Sequence, residues 1–291
     1  MLSILIPTYD FTCYSLVADL HQQAETLGIP YEIIVAEDGS RSQVDIIANH
    51  KIEELSHCHH HIRKENIGLA STRNELVTIA QYEWLLIIDS DAVVEKPDFL
   101  RTYIQAIGKA EVVVGGLYHQ KENLDPHKSL RFKYEKKADL HRNATERNQH
   151  PYSRLSCFNI MLHKDLFKQV QFDKDCKDYG YEDALFGVEL EKRGISILHI
   201  DNALLHNGLD TNETFLRKSE TALRTLKSLN GRMEGHSYVE NTYKKLCRWH
   251  LAWMVRLFYH LMGGIMRSNL CSRNPSLLCF SLYKLCYYAT L

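Results

Sequence analysis

Acidic side chains follow three short apolar stretches of this sequence, at the point where each stretch ends. They are Asp10, Glu37, Asp38, Asp89 and Asp91. If the stretches are neighbouring strands of one sheet, their carboxylates meet at one edge, where mutual repulsion requires a cation or hydrogen-bond donors. Hard oxygen ligands of this kind favour Mg²⁺ or Mn²⁺. The alternative is that each acidic residue lies in an ordinary solvated turn.

Two acidic pairs have a spacing that suits chemistry. One residue separates Asp89 from Asp91, and such positions project to the same side of an extended segment, so both carboxylates can face one ligand. Glu182 and Asp183 open a helical pattern directly after Gly180. The helix dipole favours carboxylates in a first turn, which is a sufficient structural reason for them. An ionised carboxylate placed there can also accept a proton from a hydroxyl group.

Arg73 and His206 are single residues with chemical potential. In a helix that begins at Leu69, Arg73 lies on an otherwise apolar stripe, and burying its guanidinium without a partner is expensive. We therefore expect Arg73 to pair with the acidic strand ends or to reach solvent along its aliphatic stem. His206 follows a short apolar stretch, where packing and metal binding are both open. The histidine run at residues 57–61 is expected to lie exposed in a loop and strand, without binding a metal.

The elements that must position these residues alternate along the first half of the chain. The apolar stretches, rich in Ile and Val, cover residues 3–7, 31–36, 61–63, 84–88 and 111–115. The helical patterns between them cover residues 14–27, 42–55, 69–80 and 97–107. This alternation predicts an α/β fold with a mostly parallel sheet flanked by helices. Ligands of such sheets bind in the crevice outside the carboxyl ends of the strands, where the acidic residues lie.

The second half has less regular patterns. Residues 117–147 are charged and irregular, which predicts a solvated helix and loop, with a mobile basic flap over an anionic ligand as the alternative. Strand, helix and strand are expected over residues 156–162, 180–193 and 195–199. After Gly208 the chain is expected to be helical to its end.

The motifs of several large enzyme classes are absent from the sequence. It has no Gly-x-x-x-x-Gly-Lys-Ser/Thr, Gly-x-Ser-x-Gly or His-Glu-x-x-His, and no Gly-x-Gly-x-x-Gly after the first apolar stretch. These absences argue against P-loop NTPases, α/β-hydrolases, zincins and dinucleotide dehydrogenases.

Five segments occur instead, in a fixed order. They are Ser3-Ile-Leu-Ile-Pro-Thr-Tyr9, Ile33-Ile-Val-Ala-Glu-Asp-Gly-Ser40, Asn66-Ile-Gly-Leu-Ala-Ser-Thr-Arg-Asn74, Leu85-Leu-Ile-Ile-Asp-Ser-Asp-Ala92 and Gly180-Tyr-Glu-Asp183. In these segments the sequence resembles the family 2 glycosyltransferases, which are inverting enzymes of the GT-A fold that use nucleotide sugars. The resemblance covers about residues 1–210. It implies a GT-A type, Rossmann-like sheet, here followed by a C-terminal helical extension.

The resemblance also implies roles for individual residues. Nucleotide-sugar binding is implied for Pro7, Thr8, Tyr9, Glu37, Asp38, Asn66, Gly68, Arg73, Asp89 and Ser90. Asp38 would hold the base, since a carboxylate can accept the N3–H of uracil. Asp91, together with Asp89 and His206, would hold Mn²⁺ or Mg²⁺ against the diphosphate that leaves. Asp183 would be the general base and Glu182 a contact of the acceptor, in a single inverting displacement.

The same resemblance divides the chain and defines the reaction. Residues 1–115 would bind the nucleotide sugar, residues 116–210 the acceptor, and residues 211–291 would form the helical extension. We expect a UDP-sugar donor and the addition of one sugar to a glycan or lipid-linked acceptor, in surface polysaccharide or glycan biosynthesis. Two alternatives stay open: a nucleotidyltransferase similar to nucleotide-sugar pyrophosphorylases, and an inactive scaffold of the same fold on a membrane surface.

Composition limits the partners and the compartment. The chain has 35 basic and 36 acidic residues, so no net positive field attracts nucleic acid. Its eight cysteines include no Cys-x-x-Cys pair, which is typical of reduced, intracellular proteins. The sequence has neither a signal-peptide pattern nor an uninterrupted run of about 20 apolar residues. We therefore expect a cytoplasmic protein, with peripheral attachment to the cytoplasmic face of a membrane left open.

The charge of the C-terminal residues 241–291 makes that attachment worth considering. They contain seven Lys or Arg and no Asp or Glu. Basic side chains recur near one helical stripe at Lys245, Arg248, Arg256, His260 and Arg267. With Trp249 and Trp253 beside them, this pattern predicts an amphipathic helix in an anionic headgroup layer. The alternative is a helix packed on its own domain or on a partner subunit of a homo-oligomer.

Overall fold

A seven-stranded sheet lies at the centre of the computed structural model, which describes residues 1–123 and 125–291. Within these residues the strands are β1 (Leu2–Thr8), β2 (Tyr31–Glu37), β3 (Cys58–Ile62), β4 (Trp84–Ile88), β5 (Ala92–Val93), β6 (Val112–Val114), β7 (Leu117–His119), β8 (Asn159–His163), β9 (Ile197–His199) and β10 (Leu204–His206). The α-helices are α1 (Tyr14–Leu27), α2 (Gln43–His50), α3 (Leu69–Ile79), α4 (Phe99–Ala106), α5 (Ser129–Asp139), α6 (Ala144–Gln149), α7 (Lys164–Gln169), α8 (Glu182–Lys192), α9 (Asn212–Ser228), α10 (Tyr238–Arg248), α11 (Ala252–Leu270) and α12 (Leu277–Thr290). Short 3₁₀ turns cover Lys51–Glu54 and Pro126–Lys128.

The spatial order of the central sheet is β3-β2-β1-β4-β8-β6-β9. Strand β1 pairs in parallel with β2 and β4, β2 pairs in parallel with β3, and β6 with β9. Strand β8 is antiparallel to both of its neighbours, β4 and β6. The mostly parallel α/β sheet predicted from the sequence is therefore confirmed. A smaller sheet has the order β5-β10-β7.

Helices cover both faces of the central sheet. Every residue of β1 and β2 is buried, as is typical of parallel strands between two helical layers. Successive side chains of β1 point to opposite faces. Ile4 packs in one apolar cluster with Leu16 of α1, and Leu5 packs in another with Leu76 of α3 and Leu185 of α8.

Several predicted elements occur with shifted ends. The helix predicted at residues 14–27 and the strand at residues 84–88 agree with α1 and β4. The strand expected at residues 61–63 is β3, which begins at Cys58 and contains most of the histidine run. The expectation that this run is exposed is wrong for His60, because alternate residues of β3 face the interior.

The charged segment 117–147 is more deeply packed than the solvated helix and loop predicted from the sequence. Arg147 on α6 is buried, and its guanidinium donates to the carbonyl oxygens of Val114, Gly115 and Ile200. The carbonyl groups of Gly115 and Ile200 lie just past the ends of β6 and β9, where no strand partner among the described residues donates to them, whereas the Val114 carbonyl also accepts the backbone N–H of Ile200 at 3.0 Å. The arginine replaces the missing strand partners and fixes α6 against the sheet edge.

Other cations of this segment are neutralised within it. The buried carboxylate of Glu135 on α5 forms ion pairs with Arg131 and Arg142, and Arg142 also pairs with Asp139. The pKa of the Glu135 carboxyl is lowered, because Arg131 and Arg142 together outweigh the opposing effect of burial. The alternative of a free basic flap is therefore wrong for these two arginines.

The chain after β10 is helical, as predicted for residues 211–291. Helices α11 and α12 pack side by side, and α12 also packs on α9 and α10. Phe215 of α9, Met266 of α11 and Phe280 of α12 share one apolar cluster. Among the described residues, no helix combines the length and the apolar character that crossing a bilayer would require.

We predict that Arg147→Met destabilises the fold. The substitution keeps much of the side-chain volume but leaves the carbonyl oxygens of Gly115 and Ile200 without their donor. Because each unsatisfied buried acceptor costs about 1–3 kcal/mol, we expect the free energy of unfolding to fall by roughly 3 kcal/mol. Urea denaturation measures this change. The matched control is Arg101→Met at an exposed position of α4, where we expect a change within about 0.5 kcal/mol. Equal effects of the two substitutions would contradict the bracing role of Arg147.

Candidate active site

A cleft of about 590 Å³ opens at the carboxyl ends of β1, β2 and β4. The predicted site residues that line it are Pro7, Thr8, Tyr9, Asp38, Asn66, Gly68, Asp89, Ser90, Asp91 and Glu182. These residues come from distant parts of the chain and meet in one cavity. The location agrees with the crevice expected from the strand order, because the parallel strands all end on this side of the sheet.

Arg73 lies directly behind this cleft and connects two of its acidic elements. Its side chain is only 1% exposed. One guanidinium nitrogen donates to Asp89 Oδ1 at 2.7 Å and another donates to Asp183 Oδ1 at 2.7 Å. The guanidinium also lies 5.1 Å from the ring centroid of Phe172. The arginine pairs with acidic residues as its apolar stripe indicates, but it supports the cleft from behind.

The carboxylates around Arg73 outnumber the cation. Asp89, Glu182 and Asp183 share the single guanidinium of Arg73 at the end of the cleft, where Asp91 pairs with His206. Burial raises the pKa of the Asp89 carboxyl to about 6, although Arg73 acts in the opposite direction. Burial, together with the neighbouring charge of Asp183, raises the pKa of the Glu182 carboxyl to about 7. Such a site favours the binding of further positive charge.

Asp91 and His206 are brought together by the smaller sheet. Strand β5 follows Asp91 and pairs with β10, which ends at His206. The Nε2 atom of His206 lies 3.0 Å from Asp91 Oδ2. Burial alone would raise the pKa of the Asp91 carboxyl, but the hydrogen bond and charge of His206 outweigh it and lower the pKa.

The surroundings of this pair suit a divalent cation. The Nδ1 atom of His206 is buried without a hydrogen-bond partner. At Gly208, a Cβ atom would lie 2.5 Å from Asp91 Oδ2, so only glycine leaves that oxygen accessible. The residues described contain no group of three or more metal-binding side chains. The protein would therefore supply one carboxylate and one imidazole, which suits an ion that keeps waters and binds substrate phosphates.

Glu182 and Asp183 begin α8 but have different surroundings. Asp183 accepts from Arg73 through Oδ1 and from the backbone N–H of Cys157 through Oδ2, at 2.7 Å and 2.8 Å. Glu182 lines the cleft, and one of its oxygens accepts from the backbone N–H of Gly180 at 3.0 Å. Asp183 is therefore held in place behind the cleft, whereas Glu182 faces into it.

Asp38 organises the loop that precedes α3. Its two carboxylate oxygens accept the backbone N–H groups of Ile67 and Gly68 at 2.9 Å and 3.0 Å. Asn66 donates through its amide to the Asp38 carbonyl at 2.8 Å. Gly68 has φ +88°, and a Cβ atom there would lie 2.6 Å from the Lys177 carbonyl oxygen, so the position requires glycine. Each Asp38 oxygen keeps a second lone pair that a ligand in the cleft can use.

Glu37 does not reach the cleft, which corrects its predicted role in nucleotide binding. Its carboxylate is fully buried and accepts from the side chains of Ser40 and Asn49, while His60 Nε2 lies 3.1 Å away. Adjacent residues at a strand end point to opposite sides, so Glu37 cannot face the same way as Asp38. Glu37 instead joins β2 to β3 and α2.

The cleft is also lined by two lysines that were not predicted from the sequence. They are Lys177, before α8, and Lys218, on α9. Lys218 Nζ donates to both carboxylate oxygens of Asp210 at 2.9 Å and lies 5.6 Å from the ring centroid of Tyr179. No local pattern marks either lysine, and the position of Lys218 depends on how α9 packs against the rest of the domain.

The raised pKa of Glu182 predicts a pH-dependent stability. Folding raises this pKa from its ordinary value of 4.5 to about 7. Between these values the folded state keeps a proton that the unfolded state releases, so stability falls as the pH rises through this window. Glu182→Gln removes this contribution. We expect its thermal stability relative to the unsubstituted protein to increase from about pH 5 to about pH 8, in the absence of divalent cations.

The control for this measurement is Glu122→Gln, at an exposed position. It should follow the pH dependence of the unsubstituted protein. If Glu182→Gln follows it as well, burial does not control the protonation of Glu182.

Comparisons with known proteins agree with this fold. Residues 3–171 match the family model described as glycosyl transferase family 2. Similar solved structures include S. aureus TarS 1–349, at 16% identity over 99% of this chain and 89% of that chain, with a TM-score of 0.53. The mannosyltransferase PcManGT from Pyrobaculum calidifontis, in complex with GDP-Man and Mn²⁺, is 13% identical over 99% of this chain and 84% of that chain, with a TM-score of 0.55.

TarS 1–349 in complex with UDP-GlcNAc is also similar, at 17% identity over 89% of this chain and 72% of that chain, with a TM-score of 0.50. No curated protein sequence matches the chain significantly. At such identities the structures show the fold alone, whereas the family model covers more than half of the chain. The chain therefore belongs to glycosyl transferase family 2 and has the GT-A type of fold.

Proposed function

We propose that the protein is an inverting glycosyltransferase that moves one sugar from a UDP-sugar to a glycan or lipid-linked acceptor, with the assistance of Mn²⁺ or Mg²⁺, in surface polysaccharide or glycan biosynthesis. The observation that supports this most directly is the excess of carboxylates over cations around the cleft. A metal ion bound to a diphosphate supplies the charge that this end of the cleft lacks.

The nucleoside would bind at the ends of β1 and β2. Tyr9 is exposed in the cleft, and the Asp38 carboxylate has lone pairs free for an N–H group of the base. The similar structures contain UDP-GlcNAc in one case and GDP-Man in another. The choice of UDP rests on the resemblance and on the match between the Asp38 acceptor and the uracil N3–H.

The diphosphate would bind beside Asp91 and His206. These two residues would hold the divalent ion, which stabilises the negative charge that develops as the nucleoside diphosphate leaves. Lys177 and Lys218 lie on the cleft wall and add positive charge. Asp89 stays paired with Arg73, so its contribution is to keep Asp91 and Ser90 in position.

The base that activates the acceptor would come from the Glu182–Asp183 pair. We assign this role to Asp183, as the resemblance implies, with Glu182 binding the acceptor hydroxyl. Arg73 and the amide of Cys157 keep Asp183 oriented, and each oxygen retains a lone pair for a proton. Glu182 is the competing candidate, because it lines the cleft and its pKa of about 7 suits a base. Both residues lie beyond the segment that the family model matches.

We predict that Asp91→Ala abolishes the metal-dependent binding of UDP. The substitution removes the carboxylate that would hold the ion beside His206, while the nucleoside contacts remain. Calorimetric titration with UDP, in the presence and absence of Mn²⁺, measures the effect. We expect Mn²⁺ to strengthen UDP binding by the unsubstituted protein and not by the variant.

The matched control for this titration is Asp98→Ala, an exposed position at the start of α4 whose side chain makes no capping hydrogen bond. It should bind UDP with Mn²⁺ as the unsubstituted protein does. An Asp91→Ala variant that still responds to Mn²⁺ would remove the metal site from the proposed function.

We predict that Asp183→Asn loses sugar transfer while donor binding persists. An amide cannot take the proton of the attacking hydroxyl, and loss of a general base reduces the rate by about 10²–10⁴-fold. The measurement compares transfer from a UDP-sugar with binding of the same donor. Asp165→Asn, at a surface ion pair with Lys168, is the control and should transfer normally.

The variant Glu182→Gln distinguishes the two acidic residues. If Glu182 were the base, kcat/KM would rise with pH through about 7, and the glutamine would abolish that rise while Asp183→Asn retained activity. That result would overturn the assignment of Asp183. The unsubstituted protein should also be tested with a panel of nucleotide sugars and acceptors. If it bound donors but transferred no sugar to any acceptor, the result would favour the alternative of an inactive scaffold.

A further inference from the structure

Helix α11 turns an apolar face to the outside of the molecule. Each residue on this face is between 38% and 70% exposed. The residues are Trp253, Met254, Leu257, Phe258, Leu261 and Ile265. They recur with the spacing of one helix face. Below, this set is called the α11 face. The opposite side of the helix carries Met262, Met266 and Leu270 and packs against α12 and α9.

Two of the basic side chains predicted to form the outer stripe of this helix, those of Arg256 and Arg267, bind to the protein instead. Arg256 donates through Nε to the carbonyl oxygen of Ala289 at 2.8 Å. Arg267 forms an ion pair with Glu220 of α9 at 2.6 Å. The helix is therefore oriented with these two arginines bound to the domain and with its apolar face unpartnered. An exposed apolar face of this size indicates that something covers it.

The charges at the two ends of the α11 face indicate what covers it. Lys245 and Arg248 precede the helix, Arg273 follows it, and all three are exposed. Within the residues that the structure describes, none of them forms an ion pair, and residues 241–291 contain no acidic side chain. An apolar face between exposed cations is complementary to an anionic lipid surface, where each Lys or Arg contributes about 1 kcal/mol.

A second copy of the chain is a poorer partner for this face. A twofold contact places the same patch of two molecules together. The cations at the ends of the α11 face would then approach their equivalents, and no acidic residue of this segment would neutralise them. Trp249 and Trp253, both exposed at the N-terminal end of the helix, are side chains that favour the boundary between lipid and water.

We propose that the α11 face binds the surface of an anionic lipid bilayer, with the helix lying in the plane of that surface. The helix inserts its apolar side chains between the lipids, while Lys245, Arg248 and Arg273 contact the headgroups. Binding of α11 and its flanking cations to lipid does not depend on the transfer reaction.

Flotation of the full-length chain with vesicles tests this inference. The vesicles contain phosphatidylcholine alone or phosphatidylcholine with phosphatidylglycerol. We expect the protein to float with the anionic vesicles and to remain largely unbound with the neutral ones. The double variant Leu257→Glu/Leu261→Glu should reduce the partition coefficient more than tenfold, because it places two charges on the inserted face. The double variant Lys245→Gln/Arg248→Gln should reduce it by roughly 30-fold on anionic vesicles, at about 1 kcal/mol per cation.

The matched control is Val44→Glu/Ile47→Glu, which changes two exposed apolar residues of α2 in the same way. It should float as the unsubstituted protein does, and thermal unfolding should show that all variants remain folded. Absence of flotation, or equal losses in the α2 and α11 variants, would overturn the inference. The alternative outcome is a dimer that forms without lipid and that Leu257→Glu/Leu261→Glu dissociates. If that result accompanied an absence of flotation, the α11 face would be the contact surface of a second copy.

Discussion

The buried ion pairs of Arg73 are the interaction on which the site depends. The guanidinium joins the residue after β4 to the first turn of α8, elements that are far apart in sequence. Removal of one partner from a buried ion pair costs about 3–5 kcal/mol, because the remaining charge loses its compensation. Asp89 and Asp183 therefore cannot be moved independently of Arg73. This arrangement fixes the distance between the strand end that would hold the diphosphate and the helix start that would activate the acceptor.

Three carboxylates, those of Asp89, Glu182 and Asp183, share the single cation of Arg73, which is electrostatically unfavourable. Burial, reinforced by the neighbouring charge of Asp183, raises the pKa values of the Asp89 and Glu182 carboxyls. The proposed binding of a positively charged ion together with its diphosphate would relieve this repulsion, so part of the cost of folding the site would be recovered when the donor binds. The contact between Asp91 and His206 is also unfavourable in part, because it leaves one imidazole nitrogen buried without a hydrogen-bond partner.

Sequence patterns were sufficient to predict where a residue lies when the local geometry of a strand or helix determines its position. The alternation of strands and helices located the cleft, since parallel strands must end on the same side of a sheet. The apolar stripe around Arg73 indicated that its guanidinium needs acidic partners, and the structure shows two of them. Glu37 was assigned wrongly, although the period of two along a strand already separates it from Asp38. Lys218 could not be predicted, because helix packing rather than local sequence brings α9 to the cleft.

The orientation of α11 shows why a helical pattern alone cannot decide which side faces the protein. Arg256 and Arg267 form a polar stripe that would ordinarily face water, but Glu220 and a backbone carbonyl at the end of α12 provide partners for both. Once these contacts form, the apolar face must turn outwards, since the two stripes lie on different sides of one helix. The same tail that carries an excess of positive charge thus binds two of its arginines to the protein and exposes hydrocarbon. That combination is unfavourable in water and becomes favourable against a surface that is apolar inside and negatively charged at its boundary.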